Sequence, residues 1–243
     1  MAISPQVRND LLVTYHVARE HQLHLVPLGF NLDRFLAVGA SSRAAARRQL
    51  DLPDDAVVVS TVGRLTGIKQ HTLFLDMAAR LQAHGGRYVF LVVGDGELRG
   101  ALEARAAELG LADVRFLGWR GDLDVVYGAT DVFVLTSRNE GTPVALIEAM
   151  ASGVAAVSTD VGGVRDVVTT PDLGVLVPFG DADGLAAGVA AFARDAARRA
   201  AVGEAGRASV RDRYHASRLR DDIRRLYWQL LTNGGTIPSG RRP

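Results

Sequence analysis

Short apolar runs alternate with longer stretches of helical spacing through the middle of the chain. The first two runs, the largely β-branched Val57 to Val62 and the apolar Tyr88 to Val93, each end directly at a glycine, Gly63 or Gly94. Runs of this length and composition are typical of buried strands of a parallel sheet. Four further strands are predicted, at Val114 to Leu117, Val132 to Thr136, Ala155 to Thr159 and Val175 to Val177.

Helical patterns separate these strands. They lie at Thr72 to His84, Leu98 to Leu109, Leu123 to Tyr127 and Thr142 to Ser152. This alternation predicts an α/β fold with βαβ units, a Rossmann-like, doubly wound parallel sheet of about six strands with flanking helices. Such sheets bind ligands beyond the carboxyl ends of their strands, where Gly63 and Gly94 are expected to lie.

The N-terminal 35 residues follow a different pattern. Val7 to Val17 has helical spacing and Leu23 to Pro27 is a candidate strand, which together are too little for an independent domain. Either these elements add to the edge of the main sheet, or residues 1–35 are the stub of another domain. We adopt the second interpretation, with a small-residue linker at 36–55 and the main domain at 56–215.

The C-terminal part is rich in alanine and arginine. Helices are predicted at Leu185 to Arg199, Glu204 to Tyr214 and Arg218 to Leu231. The last of these, within residues 216–232, carries an apolar stripe that is expected to pack on a protein surface. Residues 233–243 are rich in glycine, proline and arginine, and we expect a disordered tail there.

Composition excludes several classes of function. The chain has 243 residues, no cysteine and a net charge of +1, so neither a thiolate site nor an electrostatic case for nucleic acid exists. No apolar stretch is long enough for a transmembrane helix, and residues 1–10 lack the order of a signal peptide. We expect a cytoplasmic protein.

Lysine usage points to one position. Of the 28 basic residues, 27 are arginine, and the only lysine is Lys69, which follows Gly63 and Arg64 closely. The alternative explanation is a source organism whose proteins favour arginine, in which case one remaining lysine could occur at any position. Because a compact ammonium ion and a planar guanidinium are not interchangeable at a phosphate site, we favour a functional Lys69.

The run 137–153 carries two glutamates, Glu140 and Glu148, around the start of a predicted helix. Pro143 is expected in its first turn, and Gly141 shares a face with Glu148 about two turns, or roughly 10 Å, away. A helix N-terminus attracts phosphate, and a carboxylate further along can accept hydrogen bonds from a diol. The run therefore predicts a cradle for a nucleotide sugar, in which Glu148 has a ligand or a buried partner.

Together these motifs resemble family 4 of the retaining glycosyltransferases, which have the two-domain GT-B fold. The resemblance covers Val26 to Leu231. It rests on five ordered motifs: 26–29 with Asp33 and Phe35; 63–65 with Lys69; 93–98; 116–118; and Glu140 with Glu148, followed by 160–163. It implies that residues 56–215 are the nucleotide-sugar-binding, C-terminal half of a GT-B fold, and that the acceptor-binding N-terminal domain is represented only by a stub.

The resemblance also implies roles for individual residues. Arg64 and Lys69 would bind the donor diphosphate, Glu140 would lie by the transferred sugar and Glu148 would hold the ribose hydroxyls. Of these, Arg64, Lys69 and Glu140 are the expected catalytic residues. The remaining expected donor-binding residues are Gly63, Gly94, Gly118, Trp119, Arg120, Gly141, Thr142, Pro143 and Val144, with Trp119 and Arg120 framing the base.

The implied reaction transfers a sugar from a UDP-sugar, taken as UDP-N-acetylglucosamine, to an acceptor hydroxyl with retained configuration and without a metal or other cofactor. The acceptor is unknown, a lipid-linked or cell-envelope sugar in bacterial polysaccharide biosynthesis being one candidate. The full enzyme would associate peripherally with a membrane. We expect this chain to bind donor but to have little activity alone.

Other interpretations remain open. The chain could be a non-catalytic subunit completed by a separate acceptor-domain protein, a sugar-nucleotide epimerase or an NAD-dependent dehydrogenase. The turn 94–100 imitates a dinucleotide fingerprint, but its sixth position is Arg99. Asp122 and Asp181 begin Asp-x-Asp sequences of the kind that bind metals, yet both precede predicted helices and are expected to be N-caps. Arg64 could simply pair with a nearby carboxylate.

Overall fold

The structure, a computed structural model, describes residues 1–232 apart from the side chain of Gln6. The chain forms two compact units. The larger unit is Leu32–Asp212, and the smaller combines Met1–Asn31 with the described residues from 213 to 232. The tail predicted at 233–243 lies outside the described residues.

The larger unit contains a six-stranded sheet in which all neighbouring strands are parallel. The strands are β1 (Val57–Val62), β2 (Tyr88–Val93), β3 (Val114–Gly118), β4 (Val132–Leu135), β5 (Ala155–Thr159) and β6 (Val175–Val177). Their order is β3-β2-β1-β4-β5-β6, so the chain winds outward in both directions from the β1/β4 boundary. The predicted Rossmann-like α/β fold is confirmed, and its ligand crevice is expected beyond the carboxyl ends of β1 and β4.

Helices connect the strands. Within residues 1–232 the α-helices are α1 (Pro5–Asn9), α2 (Asp33–Leu36), α3 (Ala40–Gln49), α4 (His71–Ala83), α5 (Arg99–Glu108), α6 (Leu123–Ala129), α7 (Val144–Ala151), α8 (Val164–Val167), α9 (Ala182–Arg194), α10 (Ala196–Tyr214) and α11 (Ala216–Thr232). The helix predicted at Leu185 to Arg199 instead ends and restarts at Asp195, whose carboxylate accepts a hydrogen bond from the Arg198 N–H. Asp195 is an N-cap that the alanine-rich pattern concealed.

Helices cover both faces of the sheet. On one face, Val59, Phe90 and Val134 belong to a buried cluster with α4, α5 and α9. On the other, Phe133 packs edge-on against Tyr127 of α6. Most strand residues are apolar because helices cover both faces of the sheet.

The predicted linker at 36–55 is wrong. It contains α3, which packs against α6, and the buried Leu32 and Phe35 place the start of the larger unit well before residue 56. The alanines of α3 allow close packing, so a segment that looked like a small-residue linker is a structural helix.

The smaller unit differs in detail from the prediction. The helix predicted at Val7 to Val17 is divided between α1 and a π-helix at Asp10–Thr14, and the strand predicted at Leu23 to Pro27 is a single bridge from Leu25 to Ala2. It adds no strand to the main sheet. The predicted C-terminal helix is present as α11, with Arg218 donating hydrogen bonds to the carbonyls of residues 27 and 28.

Asp131, immediately before β4, joins several elements. Only 4% of its side chain is exposed. It accepts hydrogen bonds from the Val58 N–H, at 2.8 Å, and from Arg43 and Arg47 of α3, while Arg199 of α10 lies 3.5 Å away. One buried carboxylate therefore holds β1, β4, α3 and α10 together.

We expect Asp131→Ala to lower the free energy of unfolding by about 3–5 kcal/mol, because it leaves buried guanidinium groups without their counter-charge. Urea denaturation followed by circular dichroism measures this loss. The control is Asp55→Ala, which removes an exposed partner of Arg87 and should leave the denaturation midpoint unchanged. Equal midpoints for both variants would contradict the assigned role of Asp131.

Candidate functional site

Three glycines bring the ends of β1, β2 and β3 together. The Gly63 N–H donates to the Val93 carbonyl at 2.9 Å, and the Gly94 N–H donates to the Gly118 carbonyl at 2.8 Å. Gly94 has φ +131°, and a Cβ there would lie 1.9 Å from the Gly63 oxygen. Only glycine fits at position 94, so the turns that the sequence predicted at one edge of the sheet do converge there.

Lys69 crosses this edge and pairs with Glu140. Its Cδ lies 3.6 Å from where a Cβ of Gly63 would stand, so the lysine stem passes over that glycine. Its Nζ lies 2.6 Å from Glu140 Oε1, which also accepts a hydrogen bond from Ser137 Oγ at 2.6 Å. The lysine side chain is 25% exposed and the glutamate side chain 9%. The structure thus places these two predicted catalytic residues in direct contact.

Main-chain contacts hold the two loops in register. The Arg138 N–H donates to the Ile68 carbonyl at 2.9 Å, and Thr136 Oγ1 donates to the Lys69 carbonyl at 3.0 Å. The Lys69 and Glu140 loops are therefore fixed to each other through backbone atoms as well as through the ion pair.

The 160–163 motif supports the glutamate loop from the other side. The Gly163 N–H donates to the Glu140 carbonyl at 2.8 Å. A Cβ on Gly163 would stand 1.9 Å from the Gly141 oxygen, and one on Gly162 2.2 Å from the Glu140 oxygen. These two glycines allow close contact between the loops, which explains their place in the motif.

The helix after the loop begins later than predicted. Val144 is its first residue and Pro143 is the N-cap, so Gly141 and Thr142 precede the helix. Pro143 fixes the backbone just before the first turn instead of lying within it. Gly141 is exposed, with open space where a side chain would be, and so the approach to the α7 N-terminus is unobstructed.

Glu148, one turn into α7, has the buried partner that the sequence predicted. Tyr127, fully buried, donates from its hydroxyl towards Glu148 Oε2 at 3.4 Å and the Ala145 carbonyl at 3.1 Å. Burial raises the pKa of Glu148, an effect that the charge of Arg34 and the tyrosine hydrogen bond partly offset. A carboxylate held in this way keeps free capacity to accept hydrogen bonds.

Arg34 is a site residue that sequence reasoning missed. Its Nη1 donates to the Gly121 carbonyl at 2.8 Å, its guanidinium lies 4.5 Å from the centre of the Phe35 ring, and its charge acts on Glu148. It therefore connects Glu148 to the loop after β3. Its neighbours Asp33 and Phe35 were part of a recognised motif, but one arginine among 27 gave no signal of its own.

The remaining predicted cation and base-framing residues differ in their surroundings. Arg64 is exposed, and no hydrogen bond or ion pair of its guanidinium occurs within residues 1–232. Trp119 is 80% exposed. Arg120 is engaged instead in a two-fold contact with Asp122, at 2.9 and 2.5 Å, which lowers the pKa of that carboxyl. Of the predicted cation and base-framing residues, Arg64 and Trp119 therefore have side chains without a hydrogen bond or ion pair within residues 1–232.

The two Asp-x-Asp sequences have different roles. The Asp181 carboxylate caps α9 by accepting from the Gly184 N–H at 2.8 Å, as predicted. The Asp122 side chain makes no capping hydrogen bond to α6, because Arg120 occupies its oxygens; the predicted cap is wrong. In the described part of the chain, no three histidine or acidic side chains are grouped as metal ligands.

His71, the first residue of α4, supports the Arg64 turn. It is buried, its Nε2 lies 3.2 Å from the Arg64 carbonyl, and burial, with a smaller effect of Lys69, lowers its pKa to about 4. A neutral imidazole donates from Nε2 to that carbonyl and adds no charge beside Lys69. The sequence showed only a histidine two residues after the lysine.

The sequence model of the group 1 glycosyl transferases matches residues 42–209. This range covers more than half of the chain and contains both loops, α7 and the glycine turns. The chain belongs to the group 1 glycosyl transferase family.

Individual relatives agree with this assignment. The chain is 34% identical over 191 residues to the lipopolysaccharide core biosynthesis glycosyltransferase LpsE of Rhizobium meliloti (strain 1021), a match that covers 78% of this chain and 54% of LpsE. The chain spans about half the length of such glycosyl transferase relatives. None of its helices within residues 1–232 has the length and apolar character needed to cross a membrane.

Solved structures share the fold. Sucrose-phosphate synthase from Thermosynechococcus elongatus is 30% identical with a TM-score of 0.81, over 96% of this chain and 58% of that one. HepE from Anabaena, solved with UDP and glucose, is 22% identical with a TM-score of 0.84, over 94% of this chain and 62% of that one. The fold of this chain is therefore shared with these solved structures.

The buried His71 makes folding sensitive to acid. Because its pKa falls from 6.5 to about 4 on folding, only the unfolded chain binds a proton between these values, and stability is lost as the pH falls through that window. Relative to His71→Gln, which keeps an N–H donor, the wild type should lose about 3 kcal/mol between pH 7.5 and pH 4. Urea denaturation across this range tests it, and parallel stability curves for the two proteins would contradict it.

The contribution of Glu148 to folding stability has the opposite pH dependence to that of His71. Because its pKa is higher in the folded state than the ordinary value of 4.5, ionisation disfavours folding above the raised pKa and has no effect well below 4.5. Glu148→Gln should therefore melt at a higher temperature than wild type at pH 7, with the difference disappearing as the pH falls below 4.5. Differential scanning fluorimetry from pH 4 to 8 measures it; a variant less stable at pH 7 would refute the expectation.

Proposed function

We propose that this chain forms the donor-binding part of a family 4 retaining glycosyltransferase, which transfers a sugar from a UDP-sugar to an acceptor hydroxyl. The carrying observation is the contact between Lys69 and Glu140 beside the open N-terminus of α7, with Arg64, unpaired within residues 1–232, on the adjacent turn. Membership of the group 1 family and the UDP complex of HepE support the proposal.

The diphosphate would lie at the N-terminus of α7. Cleavage of the bond between sugar and phosphate leaves negative charge on the departing diphosphate, so cations and helix amides directed at that position stabilise the transition state more than the ground state. Arg64 and Lys69 are the cations available there. We propose that they take the place of a divalent metal in this reaction.

The sugar and nucleoside would lie on either side of that position. The main chain at Gly141 and Thr142 faces the open space before α7, where hydroxyls of the transferred sugar would meet Glu140. Glu148, held by Tyr127, would accept hydrogen bonds from the ribose hydroxyls. The exposed Trp119 offers a ring face to the base.

No protein nucleophile is needed in this scheme. The acceptor hydroxyl attacks from the face on which the diphosphate departs and transfers its proton to the leaving phosphate. The new glycosidic bond then keeps the configuration of the donor. Glu140 contributes by holding the sugar hydroxyls and Lys69 in place.

The acceptor side belongs to the whole protein. We propose UDP-N-acetylglucosamine as donor, a lipid-linked or cell-envelope sugar as acceptor, and a cytoplasmic enzyme that associates peripherally with a membrane. The lipopolysaccharide core role in the name of LpsE supports an envelope acceptor. Binding of acceptor would require an N-terminal domain in addition to the residues described.

The dinucleotide-like turn 94–100 has a structural explanation. A Cβ on Gly96 would lie 2.6 Å from the Leu65 oxygen, and Arg99 pairs with Glu103 at 2.9 Å. The glycine allows close packing against the Arg64 turn. This favours glycosyl transfer over hydride transfer as the function.

Ligand-induced thermal shifts test the donor proposal. UDP at about 100 times its dissociation constant should stabilise the protein by roughly 2.7 kcal/mol. Lys69→Ala and Glu148→Ala should greatly reduce the shift, whereas Glu108→Ala, an exposed acid on α5, should keep it. GDP and NAD serve as competing ligands. Stabilisation by NAD and not by UDP, unchanged in both site variants, would refute the proposal.

A further inference from the structure

A cavity lies in the larger unit, away from the candidate donor site. Its volume is about 410 Å³. It is lined by residues that directly precede β4 and β5, including Asp131 and Val154, whereas the donor site is at the carboxyl ends of the strands. The two sites are therefore at opposite ends of the sheet.

The charge around this cavity is unbalanced. Its charged lining residues are Arg43, Arg199, Arg207 and Asp131. The Asp131 carboxylate already accepts hydrogen bonds from Arg43 and the deeply buried Arg47, and Arg199 lies 3.5 Å away. Three guanidinium groups, those of Arg43, Arg47 and Arg199, thus surround one carboxylate, and Arg207 lies on the same cavity wall. Buried or half-buried charges of one sign require counter-charge.

The guanidinium group of Arg207 is fixed in position by hydrogen bonds from Nη2, while its Nε–H donor is unused within the described residues. Its Nη2 donates to the carbonyls of Val38 and Ser152, at 2.8 and 2.9 Å, which fixes the guanidinium at the cavity wall. Its Nε is buried and has no hydrogen-bond partner within the described residues; the nearest acid, the exposed Glu204, is 3.9 Å away. A buried donor without an acceptor is costly, so an acceptor from outside the chain fits here.

The adjoining surface repeats this feature. A neighbouring cavity shares Arg43, Asp131 and Arg199 with the first and is also lined by Arg47. The Arg47 side chain is 8% exposed, and its Nε also has no partner in the described part of the chain. Burial, together with the charges of Arg43 and Arg199, lowers the pKa of Arg47 against the opposing effects of Asp131 and Asp54. Asp54 and Asp55 also line this neighbouring cavity, so the excess of positive charge lies in the first cavity, where the lining residues Arg43, Arg199 and Arg207 are accompanied by a single acid, Asp131.

The backbone leaves room for a ligand. Small residues form much of the cavity wall: Gly39, Ala40, Gly128, Gly153, Ala196 and Ala200. A Cβ on Gly153 would lie 2.5 Å from Arg207 Nη2, so this glycine makes space for the guanidinium. The first turns of α3 and α10 also border the cavity, and their amides add positive potential to that of the arginines.

We propose that this cavity is a binding site for a phosphate group, either inorganic phosphate or the phosphomonoester of a larger molecule, held chiefly by Arg43 and Arg207. Guanidinium groups match phosphate oxygens in geometry and charge, and the recess holds a group of that size. The proposal does not rest on the glycosyltransferase function, because it uses none of the donor-site residues.

The test is binding of inorganic phosphate, measured by isothermal titration calorimetry at constant ionic strength with chloride as reference. Phosphate should bind both to wild type and to Lys69→Ala, a variant that lacks one of the two cations proposed at the donor site. Arg43→Gln and Arg207→Gln should each weaken binding about tenfold or more, through loss of charged hydrogen bonds. The control is Arg48→Gln, which changes an exposed arginine on α3, the helix of Arg43, and this variant should bind phosphate like wild type.

Two further measurements keep the result decisive. Arg207→Lys preserves charge and should retain part of the affinity, which guards against a Gln variant that does not fold. Vesicles containing phosphatidic acid present the same group on a lipid, and Arg43-dependent binding to them would identify a headgroup as the source. Absence of binding to both probes, or phosphate binding abolished by Lys69→Ala and unaffected by Arg207→Gln, would overturn the proposal.

Discussion

The contact between Lys69 and Glu140 is the interaction on which the rest of the candidate site depends. It joins the turn after β1 to the loop after β4, the two strands between which the order of the sheet reverses. With Glu140 almost fully buried, neither charge can be left alone without a large desolvation cost. The pair therefore fixes the turn after β1 against the loop after β4, and the diphosphate proposed to bind there would meet an ammonium ion that Glu140 already orients.

Backbone contacts make this crevice rigid. Gly94 against Gly63, and Gly163 against Gly141, approach more closely than any side chain would permit. Loops fixed by main-chain hydrogen bonds lose little entropy when a ligand binds, so the affinity for donor need not offset the cost of ordering them. The glycines thus fix the positions of the loops, while a few side chains supply the charged and hydrogen-bonding groups of the site.

The sequence predicted the parts of this arrangement that follow from local pattern. Apolar runs ending in glycine located the strands and Gly63 and Gly94, and a carboxylate within an apolar helix indicated a partner for Glu148. Arg34, His71 and α3 were not predicted. Arg34 acts across a gap of more than 80 residues to the loop at Gly121, and α3 is held by Asp131, also far away in the sequence. Contacts of that range depend on the folded topology and leave no periodic signal.

The single lysine can now be related to its surroundings. At the amino ends of the strands, arginines serve well because planar groups with five donors can bind Asp131 and several carbonyls at once. At position 69 the side chain must pass over Gly63 and end in a compact charge against Glu140. An arginine there would place a broad, flat group in the space where the diphosphate is proposed to bind. Geometry at this one position is thus a sufficient reason for lysine in a chain that otherwise uses arginine throughout.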